Sequence, residues 1–236
     1  MVYYILFYCF AYFMVLIPQQ YLKHGNLQKL RSTEFWVKSL GFLSLIGIAA
    51  GFSNHEELVN YLDGLYGGFE VGERYLVLIR AAYDRHTHGL YGLSSKGFDW
   101  KPYAIMMLLM FPLIMAASFL PDFLKQYPSF KFWRYKEVFG LADWQQLSFY
   151  WVSYVLAFVF VELIFRGALI VGMERVLSSD SILPMVAVYC FLHFGKPMGE
   201  TISSIFGGYI IGVIALYSLS FLGGCFIHIC IDLTLD

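Results

Sequence analysis

The chain has 236 residues, of which 59% are hydrophobic and 14% are charged, and its formal net charge at pH 7 is −1. Average soluble domains carry about 25% charged residues, so this composition excludes a water-soluble enzyme. The balanced charge excludes a nucleic-acid-binding protein, because no positive field is available to attract phosphates. The sequence therefore predicts an integral membrane protein.

Charge-poor apolar runs predict the membrane-spanning helices, since a bilayer core about 30 Å thick needs about 20 apolar residues of helix. We expect an all-α multi-pass helical bundle with about six to seven transmembrane helices. The runs, in chain order, are 1–22, 39–53, 102–121, 144–171, 182–194, 201–222 and 223–235. The second run reaches spanning length only if Trp36 and Lys38 lie at the membrane interface. The last two runs can form one helical hairpin that breaks at Gly223 and Gly224.

The chain divides into two parts by its pattern of apolar and ionisable residues. Residues 1–143 predict membrane spans, an amphipathic surface region at 54–100 and a basic, aromatic linker at 122–143. Residues 144–236 form the second part and contain most of the ionisable residues found inside spans. Lysine and arginine are concentrated in 21–35 and in the linker, so the positive-inside rule predicts that both face the cytoplasm.

Ionisable residues inside membrane helices are the first candidates for a functional site, because each costs about 2.5 to 3.5 kcal/mol to insert. Glu162 and Arg166 lie four residues apart, in the acid-first order that favours pairing on one helical face. A buried ion pair that only neutralises two charges is the structural alternative. His193 ends a later apolar run, and His228 precedes Asp232 by four residues, so that the carboxylate can orient the imidazole.

Three motifs on successive hydrophobic helices carry a family resemblance. They are E-x-x-F-R-G at 162–167, an aromatic residue four before a histidine at Tyr189 and His193, and H-x-x-x-D at His228 and Asp232. Their order resembles the CPBP family of intramembrane proteases, which includes CAAX prenyl endopeptidases and bacteriocin-processing, Abi-like proteins. The resemblance covers about 144–236 and implies a membrane-embedded endopeptidase that cleaves a membrane-associated peptide or protein.

The resemblance also implies a mechanism and a location. A carboxylate and His193 would activate a water molecule, while His228 and Asp232 would hold the oxyanion or a metal. It leaves the use of a divalent metal such as zinc open, for which His193 and His228 would be ligands. It further implies a multi-pass protein of a prokaryotic cytoplasmic membrane, whose partners are the lipid bilayer and the substrate. A stripe of small residues at Ser204, Gly208, Gly212 and Ala215 predicts a close helix contact, within this bundle rather than with a second subunit.

One position departs from the family pattern. Family members carry two adjacent glutamates in the first motif, and the first is thought to activate water, whereas this chain has Val161 before Glu162. Because valine cannot accept a proton, either the chain is a catalytically silent binding scaffold or immunity factor, or another carboxylate takes this role. Glu200 is the candidate, since a turn at 195–197 would bring it back toward His193. Its structural alternative is an ordinary acidic residue in the first turn of a helix.

Overall fold

The computed structural model describes residues 2–53, 91–94, 99–127 and 142–235. Most of the predicted surface region at 54–100 and of the linker at 122–143 lies outside the described residues. Within the described ranges the chain is helical and contains no strand. The prediction of an all-α membrane bundle is confirmed.

The α-helices of the described residues, in chain order, are α1 (Val2–His24), α2 (Thr33–Ser53), α3 (Lys101–Ala117), α4 (Pro121–Gln126), α5 (Asp143–Glu162), α6 (Glu174–Leu177), α7 (Ile182–Leu192), α8 (Met198–Ser218) and α9 (Leu222–Leu235). Four stretches of the described chain are long and apolar enough to cross a membrane: 2–24, 33–51, 147–192 and 198–218. Helix α2 therefore includes Trp36 and Lys38, as its spanning length requires. Helices α3 and α9 are shorter apolar helices.

The third apolar run ends earlier than its sequence suggests. Helix α3 stops at Ala117, and Pro121 occupies the first turn of the separate short helix α4. A proline at this position has no N–H to lose from the helix and a φ angle that suits its start. The run therefore ends as two helices rather than one span that reaches Pro121.

The two ends of the bundle are identified by contacts along α7. At one end, the buried carboxylate of Asp180 accepts hydrogen bonds from Lys23 at 2.6 Å and from Lys29 at 2.7 Å. At the other end, the ring of Phe7 lies 5.0 Å from the ring of Phe191. Helices α1 and α7 are therefore antiparallel, and His193 lies at the end of the bundle opposite Asp180.

This arrangement contradicts the predicted topology of the basic segments. The Tyr127 hydroxyl, directly after α4, donates a hydrogen bond of 2.9 Å to Glu200 in the first turn of α8. Residues 122–127 therefore lie at the His193 end, whereas Lys23 and Lys29 lie at the Asp180 end. For the described residues 122–127, the prediction that they lie on the same side as 21–35 is wrong, because the positive-inside rule evaluates each loop separately and carries no information about which helices pair.

The small-residue stripe of α8 faces α7 of the same chain. A Cβ at Gly208 would lie 3.0 Å from the ring of Tyr189, and a Cβ at Gly212 would lie 3.0 Å from Met185. Ser204 and Ala215 are buried on the same face. The absence of larger side chains lets the two helices approach closely, as the sequence predicted.

The break between α8 and α9 does not occur at Gly223 and Gly224. Helix α8 ends at Ser218, Leu219 adopts the left-handed conformation with φ +49°, and α9 begins at Leu222. Both glycines lie inside the first turn of α9. The predicted break was wrong because these glycines serve close packing between helices.

Candidate active site

Glu162 and Arg166 form a fully buried ion pair where α5 changes its winding. Helix α5 ends at Glu162, and residues 163–168 continue as a π-helix, in which the amide of Leu169 bonds the carbonyl of Ile164. Arg166 Nη1 lies 2.6 Å from Glu162 Oε1, and both side chains are 0% exposed. Such π-helical turns are often found at functional sites.

Gly224 allows the Glu162 carboxylate to lie against the backbone of α9. A Cβ at Gly224 would collide with Glu162 Oε2, so every other residue at this position would displace the carboxylate. A second glycine, Gly223, receives the ring of Tyr103 from α3 in the same way. The pair of glycines therefore fixes how deeply α9 packs between α3 and α5.

His228 on α9 connects the ion pair to α7. Its Nε2 atom lies 3.1 Å from Glu162 Oε1 and 3.1 Å from the Tyr189 hydroxyl. Its ring also stacks on Phe158 of α5, with the ring centroids 5.4 Å apart. Three helices that are distant in sequence thus bring one carboxylate, one imidazole and one phenol together.

His193 occupies the turn between α7 and α8. Its Nδ1 atom lies 2.9 Å from the Tyr189 carbonyl oxygen, and a carbonyl can only accept, so Nδ1 carries the proton. The Nε2 atom of the neutral ring is then the one with a lone pair. Burial lowers the pKa of His193 from 6.5 to about 4, which keeps the ring neutral at physiological pH.

The turn after His193 folds α8 back toward α7. The His193 carbonyl accepts hydrogen bonds from the Lys196 amide at 3.2 Å and from the Thr201 hydroxyl at 2.8 Å. Gly195 has φ +96°, a backbone conformation that favours glycine over residues with a side chain.

The candidates His193, Glu200 and His228 face one cleft of about 690 Å³ that lies between helices α3, α4, α5, α7, α8 and α9. Its polar side is lined by Tyr189, His193, Glu200 and His228, and its other walls are mostly apolar, including Met106, Leu113 and Ile114 on α3. Concave sites with a few polar groups on apolar walls are typical of ligand-binding clefts.

Val161 and Glu200 both line this cleft, in different surroundings. Val161 faces the cleft where the family pattern has a glutamate, whereas its neighbour Glu162 is turned into the buried ion pair. Glu200 accepts hydrogen bonds from Lys196 at 2.5 Å and from Tyr127 at 2.9 Å. The carboxylate predicted as a replacement is therefore at the cleft wall, and it accepts these hydrogen bonds from Lys196 and Tyr127 rather than from His193.

The side chain of Asp232 lies outside the described residues, although its backbone continues α9 one turn after His228. Among the described residues no group of three histidine, cysteine, aspartate or glutamate side chains could hold a metal ion. The Nε2 atom of His228 is also directed at Glu162 and Tyr189. Zinc binding by His193 and His228 stays a prediction, because the side chain of Asp232, a further possible donor, is not among those described.

The sequence analysis assigned no role in the site to Tyr127, Lys196 or the Tyr189 hydroxyl, and it interpreted Gly224 as part of a helix break. Only Gly224 gave a signal that can be recognised afterwards, because two adjacent glycines near the start of an apolar run suit a close backbone approach. The partners of the other three are distant in sequence or depend on the turn at 193–197, which spacing alone does not reveal.

Comparison with known families supports the resemblance. Residues 143–234 match the model of the family described as Rce1-like, type II CAAX prenyl endopeptidase Rce1-like. The resemblance inferred from the three motifs is therefore confirmed for this segment. No curated protein and no solved structure gives a significant match to the chain.

Proposed function

We propose that this CAAX-protease-like membrane protein is an endopeptidase that hydrolyses a membrane-associated peptide or protein in the cleft beside His193. The observation that carries the proposal is the position of a neutral histidine, with its lone pair on Nε2, on the same cleft as His228 and Glu200. The apolar wall of α3 suits a substrate that enters from the lipid phase. Within this proposal the host membrane is a prokaryotic cytoplasmic membrane.

In the proposed reaction His193 acts as the general base. Its Nε2 atom takes a proton from a water molecule, and the water oxygen forms a bond with the scissile carbonyl carbon. The C–N bond then breaks, and the proton moves from the His193 imidazolium to the leaving amine. The products are a carboxylate and an amine, and no other reactant is needed.

The charged groups in the cleft and behind its wall affect this base in different ways. Arg166 Nη1 contacts Glu162 Oε1, and the same oxygen in turn fixes the His228 ring. The negative charge of Glu200 favours the imidazolium form of His193, whereas the charges of Lys196 and His228 oppose it. We therefore assign to Glu200 the role of stabilising the protonated base, in place of the missing first glutamate.

A second candidate function is supported by Val161. Because the residue that lines the cleft at the family's first glutamate position is apolar, the same cleft would suit a binding scaffold or immunity factor that holds a peptide without cutting it. This candidate predicts a saturable peptide complex with no product.

The experiment that distinguishes the two is a screen of the detergent-purified full chain against a library of membrane peptides, read by mass spectrometry. The His193→Ala variant is the negative control, and His24→Ala is a matched histidine variant at the opposite end of the bundle. The endopeptidase proposal expects cleavage by the wild type and by His24→Ala, but not by His193→Ala. Binding without products would favour the scaffold.

A further inference from the structure

Tyr189 is the side chain that contacts most of the site at once. Its hydroxyl lies 3.1 Å from His228 Nε2, and its ring lies 4.6 Å from the His193 ring, measured between centroids. The Arg166 guanidinium carbon lies 4.4 Å from the centre of the same ring. Tyr189 is 4% exposed and forms part of the cleft wall between the two histidines.

The protonation of His228 determines how the Tyr189 hydroxyl is oriented. The Nε2 atom of His228 lies 3.1 Å from Glu162 Oε1, and this oxygen is an acceptor because Arg166 Nη1 donates a hydrogen bond of 2.6 Å to it. Two acceptors at this distance would repel, so Nε2 carries a proton. The Tyr189 oxygen, which faces the same nitrogen, must then accept, and its own proton points away from His228.

The ring contacts of Tyr189 do not require the hydroxyl. Packing against Phe165, stacking under Arg166 and close contact with Gly208 would all be made by phenylalanine. The hydroxyl is instead polarised by the His228 N–H that it accepts, which strengthens its own ability to donate. A polarised O–H in the cleft wall beside the general base is suited to an oxygen that gains negative charge.

We propose that Tyr189 is a catalytic residue that donates a hydrogen bond from its hydroxyl to the carbonyl oxygen of the scissile peptide bond. This inference rests on the proposed endopeptidase function. As the water oxygen bonds to the carbonyl carbon, the π electrons of the carbonyl move to its oxygen, and Tyr189 stabilises that oxyanion without losing its proton. Glu162 and His228 act behind it as positioning residues.

The test is the Tyr189→Phe variant of the full chain, assayed with the library peptide that the wild type cleaves fastest. Loss of one oxyanion donor typically lowers kcat by about 100- to 1,000-fold, and we expect that loss with KM changed by less than about threefold. The matched control is Tyr209→Phe on α8, whose side chain is 47% exposed. It should keep wild-type kinetics.

A second readout separates catalysis from a structural role. A peptidyl phosphinate of the same sequence imitates the tetrahedral anion, so its inhibition constant should rise by about the factor by which kcat/KM falls. If Tyr189→Phe does not fold, 3,5-difluorotyrosine at position 189 keeps the shape but has a more acidic phenol. Activity should then fall at a lower pH than in the wild type, because ionisation removes the donated proton.

The possible outcomes distinguish the role of Tyr189 from the endopeptidase function on which it rests. Cleavage by the wild type and by Tyr189→Phe at equal kcat, with loss only in His193→Ala, would overturn the role of Tyr189 and leave the endopeptidase intact. An unchanged inhibition constant for the phosphinate, or an unshifted pH profile for the fluorinated protein, would also overturn it. A wild type that cleaves nothing would overturn both proposals.

Discussion

Removing the charge of Arg166 should lower the stability of the protein by more than the loss of its packing contacts alone would. Arg166 and Glu162 are both 0% exposed, and Arg166 Nη1 lies 2.6 Å from Glu162 Oε1. In Arg166→Met the carboxylate would stay buried without its arginine, beside His228 Nε2 at 3.1 Å. Breaking a buried pair by removing one partner costs about 3 to 5 kcal/mol.

A thermal unfolding assay in detergent can detect a loss of this size. At about 2 to 4 °C per kcal/mol for a chain of this length, Arg166→Met should lower Tm by about 6 to 20 °C. Glu162→Gln should have a comparable effect, because it leaves the guanidinium unpaired. The double variant Glu162→Gln/Arg166→Met should lose less than the sum of the two, since it contains no isolated charge.

Two outcomes of this double-mutant cycle would refute the assignment of Glu162 and Arg166 as a buried ion pair. If the two single variants each change Tm by less than about 2 °C, the pair is not a buried ion pair of the kind described. If the two losses add in the double variant, the side chains do not interact, and the assignment of Glu162 to Arg166 and His228 is wrong.

Four further predictions follow from individual contacts. Gly224→Ala should cost about 1 to 3 kcal/mol, because its Cβ collides with the Glu162 carboxylate, whereas Gly41→Ala, with open space around its Cβ, should not destabilise the fold in the same unfolding assay. In the pH profile of kcat/KM, the loss of activity at acid pH should have its midpoint near pH 4 rather than 6.5, because burial keeps His193 neutral above pH 4. A midpoint near pH 6.5 would contradict the assignment of His193 as the base. Glu200→Gln should lower kcat/KM about tenfold or more without changing Tm, since the imidazolium loses a stabilising charge, and full activity would exclude the role. Asp180→Asn should cost about 1.5 to 3 kcal/mol in denaturant titrations, because Lys23 at the end of α1 and Lys29 after it lose the carboxylate that they bind. An unchanged midpoint would show that these ion pairs do not stabilise the fold.

The sequence predicts the parts of this fold that depend on local spacing. Apolar runs identify the helices, and the four-residue spacing of Glu162 and Arg166 is enough to expect their pairing, because residues four apart share a helical face. The stripe at Gly208 and Gly212 similarly predicts a close contact. Each of these features is contained within a single helix.

What the sequence does not predict depends on which helices pack together. The contact of Glu162 with Gly224 joins residues 62 positions apart, and the bond from Tyr127 to Glu200 joins residues 73 apart. Neither contact leaves a periodic signal in the chain. The same limit made the two basic segments look equivalent, although antiparallel packing of α1 and α7 separates Lys23 and Lys29 from residues 122–127. Gly223 and Gly224 were misread for this reason too, since their partners come from other helices.

Hydrolysis of peptide bonds in this cleft with His193 as the base can be tested by comparing two proteins in a membrane. Wild type and His193→Ala are reconstituted in the same liposomes, and kcat/KM is measured for the library peptide that the wild type cleaves fastest. Removing a general base typically lowers the rate by about 100- to 10,000-fold, and we expect a loss of that order with Tm unchanged. Equal cleavage by both proteins, or no cleavage by the wild type of any peptide in the library, would contradict it.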